Sequence, residues 1–343
     1  LSIRTKIEAH VLKRLLALVT ADARPNLNAL NDIVKEVRIL ELNVKTLGYA
    51  LAHRMAVALP PREDGQARLI GLGSKPCTQA DIESDWMAHW AAELKTAVIY
   101  HRKLWECAYV LQVLFEHGHL VPGARGLGFG CGAEPIPSYL ASLGITVTAS
   151  DDAGDAAAAA GWIASQQHLG SAASPFLPHL VDRERFDRFV TVATVDMNAV
   201  PADLQGYDFC WSMCALEHLG SIEAGLRFIE RSLETLRPGG TAVHTLELNI
   251  DDDGPTVDNW ITVLFQRKHL EAFAAKMAAA GHQVMPLSFD FGGQVMDRFI
   301  DLPPWLHDLP DAERHRLGPP AHLKLSIDGF VCTSFGIVIT KHP

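Results

Sequence analysis

The sequence predicts an α/β fold: a doubly wound, largely parallel sheet with an N-terminal helical region. Three observations predict it. Short apolar runs at 126–129, 145–149, 189–195, 207–213 and 241–248 alternate with helical patterns, as strand–helix–strand units do. The first run enters a glycine-rich turn, "GLGFGCGAEP", that opens a helix. The tail "LKLSIDGFVCTSFGIVIT" reads as two strands joined around Asp328–Gly329, an antiparallel hairpin closing the sheet edge.

Composition narrows the class. With 343 residues, 48% hydrophobic and 20% charged, the chain is long enough for one large domain or two modest ones and reads as soluble and globular. No apolar run reaches the eighteen or so residues of a membrane span. The net charge of −10 disfavours a phosphate-backbone footprint, so nucleic acid is not an expected partner. The six cysteines are scattered and read as reduced thiols of a cytoplasmic protein. No secretory signal is visible, although a chain opening on Leu1 is compatible with a missing native N-terminus.

The elements follow in order. Ile3, Ile7, Val11, Leu15 and Val19 recur at helical spacing. After the break "DARPN", Leu30, Ile33, Val37, Leu40, Val44, Leu47 and Leu51 alternate three and four apart for three heptads. That spacing suits a self-association helix, and equally a helix packed on its own domain. Residues 1–58 thus form a helical region. Residues 59–117 form a Pro/Gly-rich connector and a helical cap rich in aromatics. Residues 118–343 carry the sheet, with an insertion at 285–322 whose six prolines, Phe291 and Trp305 suit a substrate-choosing loop. The only low-complexity piece is the alanine run 156–160.

The glycine turn raises the question of a ligand. Gly128, Gly130 and Gly132 leave room for a ligand against bare backbone. Asp151 ends the next apolar run, where a carboxylate can accept both hydroxyls of a ribose. The dinucleotide spacing G-x-G-x-x-G is not met, and Glu134 with Pro135 stands where a pyrophosphate would sit, which suits a cationic ligand. Asp196, ending "FVTVATVD", can bond an adenine amino group.

On these residues the sequence resembles the class I S-adenosylmethionine-dependent methyltransferases. The resemblance covers roughly residues 120–250 and rests on "GLGFGCGAEP", Asp151, "VDMNAVP", "YDFCWSMCALEHL" and "LRPGG". It departs from the commonest motif where the usual third glycine of "GCGxG" falls on Glu134. The resemblance implies a seven-stranded Rossmann-like sheet, S-adenosylmethionine as cofactor, and a donor site at Gly128, Gly130, Gly132, Glu134, Asp151, Asp196, Met197 and Ser212, with Trp105 of the helical cap against donor or acceptor. The wording of "HRKLWE" and of the glycine motif resembles bacterial enzymes of glycan or secondary-metabolite modification, so a small-molecule or glycan hydroxyl is the expected acceptor. His218, Glu217 and His244 are the expected catalytic groups, His218 first because imidazole titrates near neutral pH. Glu247 is a further candidate, and His101 and Arg102 flank Trp105 as secondary ones. In some relatives the Glu-His turn contributes to a divalent-metal site, which Glu217, His218 and Glu247 would form here; no metal is assigned, and Asp251 to Asp253 read as a solvated loop. The competing classes are a nicotinamide-dependent oxidoreductase and a non-catalytic scaffold that oligomerises through its N-terminal helix.

Overall fold

The structure, a computed structural model, describes residues 20–21, 24–25, 27–60, 66–152 and 175–342. The expected helix from Ile3 to Val19 and the alanine run 156–160 lie outside the described residues. At the "DARPN" break, Thr20–Ala21 and Arg24–Pro25 pair as a two-residue antiparallel ladder.

Helix α1 spans Leu27–Ala58. Two of its faces behave differently. Lys45, Tyr49 and Ala52, spaced four and three apart, are buried against the body of the protein. Ile33, Val37, Leu40, Val44 and Leu47 stay exposed, while Leu51, the last position of the heptad stripe, is half-buried against the core.

The connector leads into α2, Asp85–Glu93, started by Ser84, whose hydroxyl accepts from the backbone N–H of Met87. Helix α3, Arg102–Glu116, follows and is buried along nearly its whole length, because it lies between the sheet and α2.

The sheet begins with β1, Arg125–Phe129, then α4, Ile136–Ser142, and β2, Thr146–Asp151. After α5, Arg183–Phe189, come β3, Val190–Thr194, and β4, Tyr207–Met213. Helix α6, Ile222–Glu234, is amphipathic and capped by Ser221; it buries Phe228, Ile229 and Leu233 on the sheet. Strand β5, Leu236–Asn249, takes the "LRPGG" stretch into its first turn of chain instead of following it. Helix α7, Arg267–Ala279, precedes the insertion. The tail forms β6, Lys324–Ile327, and β7, Phe330–Thr340, joined at Asp328 and Gly329 with φ of +49° and +84°. Two consecutive positive φ values are what a tight right-twisting hairpin turn requires.

The order across the sheet is β3-β2-β1-β4-β5-β7-β6. Every neighbouring pair from β3 to β5 is parallel, and β7 runs antiparallel between β5 and β6. Three two-residue strands join this seven-stranded frame, Lys75–Pro76 and Gln283–Val284 on β7 and Ile300–Asp301 beyond β6. The hairpin therefore does not close the edge as expected: β7 is interior and covered on both faces, and the insertion supplies the outermost strand. One core cluster joins α2, α3 and α4 to one face; a second joins α6 and α7 to the other. β1 and β4 are neighbours although β2 and β3 come between them in sequence, so the strand order reverses there and opens a crevice at their carboxyl ends.

Candidate active site

The glycine turn lies at this switch point. Gly130 has φ of +61°, and a Cβ there would come within 2.7 Å of Ala215 Cβ, so the turn after β1 closes against the turn after β4. Met197, beyond β3, packs at the same place. Gly132 has φ of +49°, and its N–H donates to Asp151 Oδ2 at 3.2 Å, while Asp152 N–H donates to Asp151 Oδ1 at 2.9 Å. An acceptor-only carboxylate is thereby fixed beside the glycine turn, the chemistry a ribose diol requires. Asp196 stands just past β3, exposed, its Oδ1 accepting from Asn198 N–H at 2.7 Å. Gly130, Gly132, Asp151 and Met197 are thus brought together, with Asp196 at the rim.

Two members of the expected donor set serve a different contact. The space that a Cβ on Gly128 would fill is taken by Cys131 Sγ at 2.4 Å and the Trp211 indole at 2.5 Å, so this glycine admits a core side chain and not a ligand. Glu134 accepts from Trp211 Nε1 at 2.5 Å. Burial pushes its pKa up to about 8, partly offset by the bonds from Trp211 and Cys131. The shift biases Glu134 toward its neutral form, which weakens the standing negative charge expected against phosphates.

Three further expectations are corrected by burial. Trp105 is fully enclosed, donates from Nε1 to Asp81 Oδ2 at 2.9 Å and stacks on Tyr109, so its indole is committed to core contacts. Ser212 Oγ meets His244 Nδ1 at 2.8 Å, and His244 Nε2 meets Ser232 Oγ of α6 at 3.0 Å. Both side chains are in the core, and burial pulls the His244 pKa down to about 3. His244 is a neutral, doubly bonded core imidazole.

The ends of β4 and β5 carry the other cluster. Glu217 and His218 lie on a single helical turn, Leu216–His218. His218 Nδ1 is 3.0 Å from Ile261 O, and since a carbonyl only accepts, Nδ1 holds the proton and the lone pair of the neutral ring is on Nε2. Burial lowers the His218 pKa, keeping the ring neutral. Glu217 is buried, and burial together with neighbouring Glu247 raises its pKa. Arg102 reaches in from α3: it pairs with Glu247 Oε1 at 2.5 Å, Glu106 Oε1 at 3.2 Å and Ser334 Oγ at 3.1 Å. Burial opposes the Glu106 charge, but Lys103 and Arg102 outweigh it and hold the carboxylate below its ordinary pKa. Cys214 Sγ sits 3.2 Å from Glu106 Oε1. Asp251 to Asp253 are exposed on the loop after β5, as expected of a solvated segment.

Beside Arg102 lies a third group. Asp301 is buried and accepts from Lys45 Nζ at 2.5 Å, Tyr49 Oη at 2.9 Å and His322 Nδ1 at 2.8 Å. His322 is in turn edge-on to His101 at 4.7 Å, and Trp305 covers Lys45 and His322. Phe291 lies under the Lys324 ammonium. The insertion thus meets α1 and α3 through ionic and aromatic contacts. Sequence reasoning missed Cys214, Asp301, His322 and Lys45, and noted Glu106 within "HRKLWE" without keeping it as a site residue. Only Glu106, four residues after Arg102, carried a local signal.

No family model and no curated protein matches the chain. Solved structures are similar at low identity. The [4+2]-cyclase SpnF is 16% identical, over 89% of this chain and 94% of that one, with a TM-score of 0.42. Phosphoethanolamine N-methyltransferase 2 of Haemonchus contortus, solved with S-adenosyl-L-methionine, is 14% identical over 68% of this chain and 52% of that one, with a TM-score of 0.40. The CurJ carbon methyltransferase is 12% identical over 71% and 54%, with a TM-score of 0.37. The chain thus spans about half the length of the latter two. Their different chemistries belong to those proteins, and likeness of this degree carries no activity to this chain. No helix among the described residues is long and apolar enough to cross a membrane. The strand order, the antiparallel seventh strand and the glycine turn at the switch point give the chain the class I, Rossmann-like methyltransferase fold.

Proposed function

We propose that the chain is an S-adenosylmethionine-dependent methyltransferase acting on a hydroxyl of a small molecule or glycan. The observation that carries this reading is the pairing of Gly132 N–H with Asp151 at the switch point, beside the polar ends of β4 and β5. The residues fit the donor: Asp151 for the ribose, Asp196 and Met197 for the adenine side, and the tight turn at Gly130 for the amino-acid end. When bound, the donor supplies a methyl group already activated on a sulfonium. The chain's part is alignment and exclusion of water, plus removal of the acceptor proton. His218 is the base of this reading, because its neutral ring holds its proton on Nδ1 and turns the basic lone pair to Nε2. Glu217 shares its turn and supports it. The test is calorimetry with S-adenosylmethionine and with NAD, followed by an acceptor panel of sugars and phenols. Binding of NAD alone sinks the reading; donor binding with no transfer to any hydroxyl removes its acceptor half.

The same proposal includes a cytoplasmic protein that associates through α1. The exposed side chains of Ile33, Val37, Leu40, Val44 and Leu47 support this. Sedimentation of the wild type against Leu40→Lys and Leu47→Lys tests it, and an unchanged molecular mass in both variants contradicts it.

A further inference from the structure

The geometry points to a thiophilic divalent-cation site, of the zinc class, held by Cys214 Sγ and one carboxylate oxygen each of Glu217 and Glu247. These three ligand atoms lie within 4.8 Å of one another, and among the described residues they form the one such group of three. They come from three places that the fold holds rigidly. Cys214 follows β4 with φ of +46°, its N–H fixed on Thr245 O at 3.0 Å and Thr245 Oγ1 at 3.1 Å. Glu217 is on the turn after it, with its carbonyl bonded to Val263 N–H at 2.9 Å. Glu247 is within β5, its carbonyl bonded to Phe265 N–H at 3.0 Å.

A second observation says that something is missing there. Glu217 Oε2 and Glu247 Oε2 are buried and have no hydrogen-bond partner, in residues only 1% and 3% exposed. Orphaned carboxylate oxygens are costly in a protein interior and call for a partner. Arg102 does not fill that role: its pairs are to Glu247 Oε1 and to Glu106, whose second oxygen is taken by Lys103 at 3.0 Å. The two carboxylate oxygens remain orphaned although Arg102, whose Nε is itself buried and unpartnered, stands in the same cluster.

The donor set selects the ion. An all-oxygen site favours magnesium or calcium, while a thiolate with two carboxylates favours zinc and similar ions. Zinc ligands sit about 2.0–2.3 Å from the metal, so modest side-chain rotation closes the present spacing. Binding requires loss of the thiol proton and of any proton held by Glu217, whose pKa burial and Glu247 raise; both leave to solvent. Three protein ligands leave a fourth position open at the ends of β4 and β5. On the reading that an acceptor hydroxyl is methylated at this end, that position would take the acceptor oxygen and ease its deprotonation. This last consequence alone rests on the methyl-transfer reading.

The test is a titration of the full chain, stripped with a chelator, with Co2+. One equivalent should bind with a near-ultraviolet thiolate-to-cobalt band, displaced by Zn2+. Cys214→Ser should abolish the band, and Glu217→Gln should weaken binding at least tenfold, both with unchanged circular dichroism. Cys332→Ser, a buried thiol outside the group, should keep the band. Absence of the band in the wild type, or its survival in Cys214→Ser, overturns the site. Calorimetry with S-adenosylmethionine on the same samples separates the two ideas: cobalt binding without donor binding sinks the methyl-transfer reading and leaves the cation site standing.

Discussion

Glu134 accepts a 2.5 Å hydrogen bond from the Trp211 indole, and burial raises its pKa to about 8. An unfolded glutamate releases its proton near 4.5, so between about pH 4.5 and 8 the folded state holds a proton that the unfolded state has lost. Stability contributed by this group therefore falls as pH rises through that window and is flat above it. Glu134→Gln stays neutral throughout. Urea denaturation should show the variant gaining about 2 kcal/mol relative to wild type between pH 5 and 8.5, allowing for partial solvent access. An equal difference at both pH values contradicts the assignment.

Gly130 and Ala215 test the closure of the two turns. In Gly130→Ala the new methyl would stand 2.7 Å from Ala215 Cβ, on a backbone at φ of +61°. The expected cost is about 1–3 kcal/mol, with donor affinity down at least tenfold. Gly118→Ala is the control: φ is +73°, but no atom lies within 4 Å of the added carbon. It should lose stability only, by about 1 kcal/mol, and keep donor affinity.

His244 separates a core role from a catalytic one. His244→Ala leaves a void and two hydroxyls, Ser212 and Ser232, without their partner. The loss should be about 2–4 kcal/mol, with donor affinity within twofold at temperatures where the variant is folded. Its folded pKa of about 3 lies below the ordinary 6.5. The stability it contributes is complete above pH 6.5 and is lost as pH falls towards 3, so the variant should be less sensitive than wild type to acid in that range.

Lys45 and Asp301 tie α1 to the insertion. Removing one partner leaves a buried charge, so Lys45→Met should cost about 3–5 kcal/mol. The double variant Lys45→Met/Asp301→Asn should recover a large part of that loss. Additive losses in the double-mutant cycle would show that the pair is not coupled.

How far the sequence reaches can be judged from these residues. The alternation of runs located the central strands, and Asp328–Gly329 located the final turn, because both signals are local. The positions of Gly130, Gly132 and Asp151 were readable for the same reason. What was not readable depends on distant contacts. Lys45 and Asp301 are 256 residues apart, and no spacing rule joins them. Ser212 and His244 looked like site residues because they sit on the right strands, yet alternation along a strand turns them to the α6 side. Gly128 looked like a ligand cradle because a missing Cβ does not announce what fills it, and here it is Trp211.

The most direct measurement is the affinity of the purified chain for S-adenosylmethionine and for NAD, by calorimetry, in wild type and Asp151→Ala. The expected result is one donor molecule per chain, no NAD binding, and at least a tenfold loss of donor affinity in the variant, the effect of removing the ribose acceptor. NAD binding in place of the donor, or donor binding indifferent to Asp151, would contradict a nucleoside site built on the glycine turn.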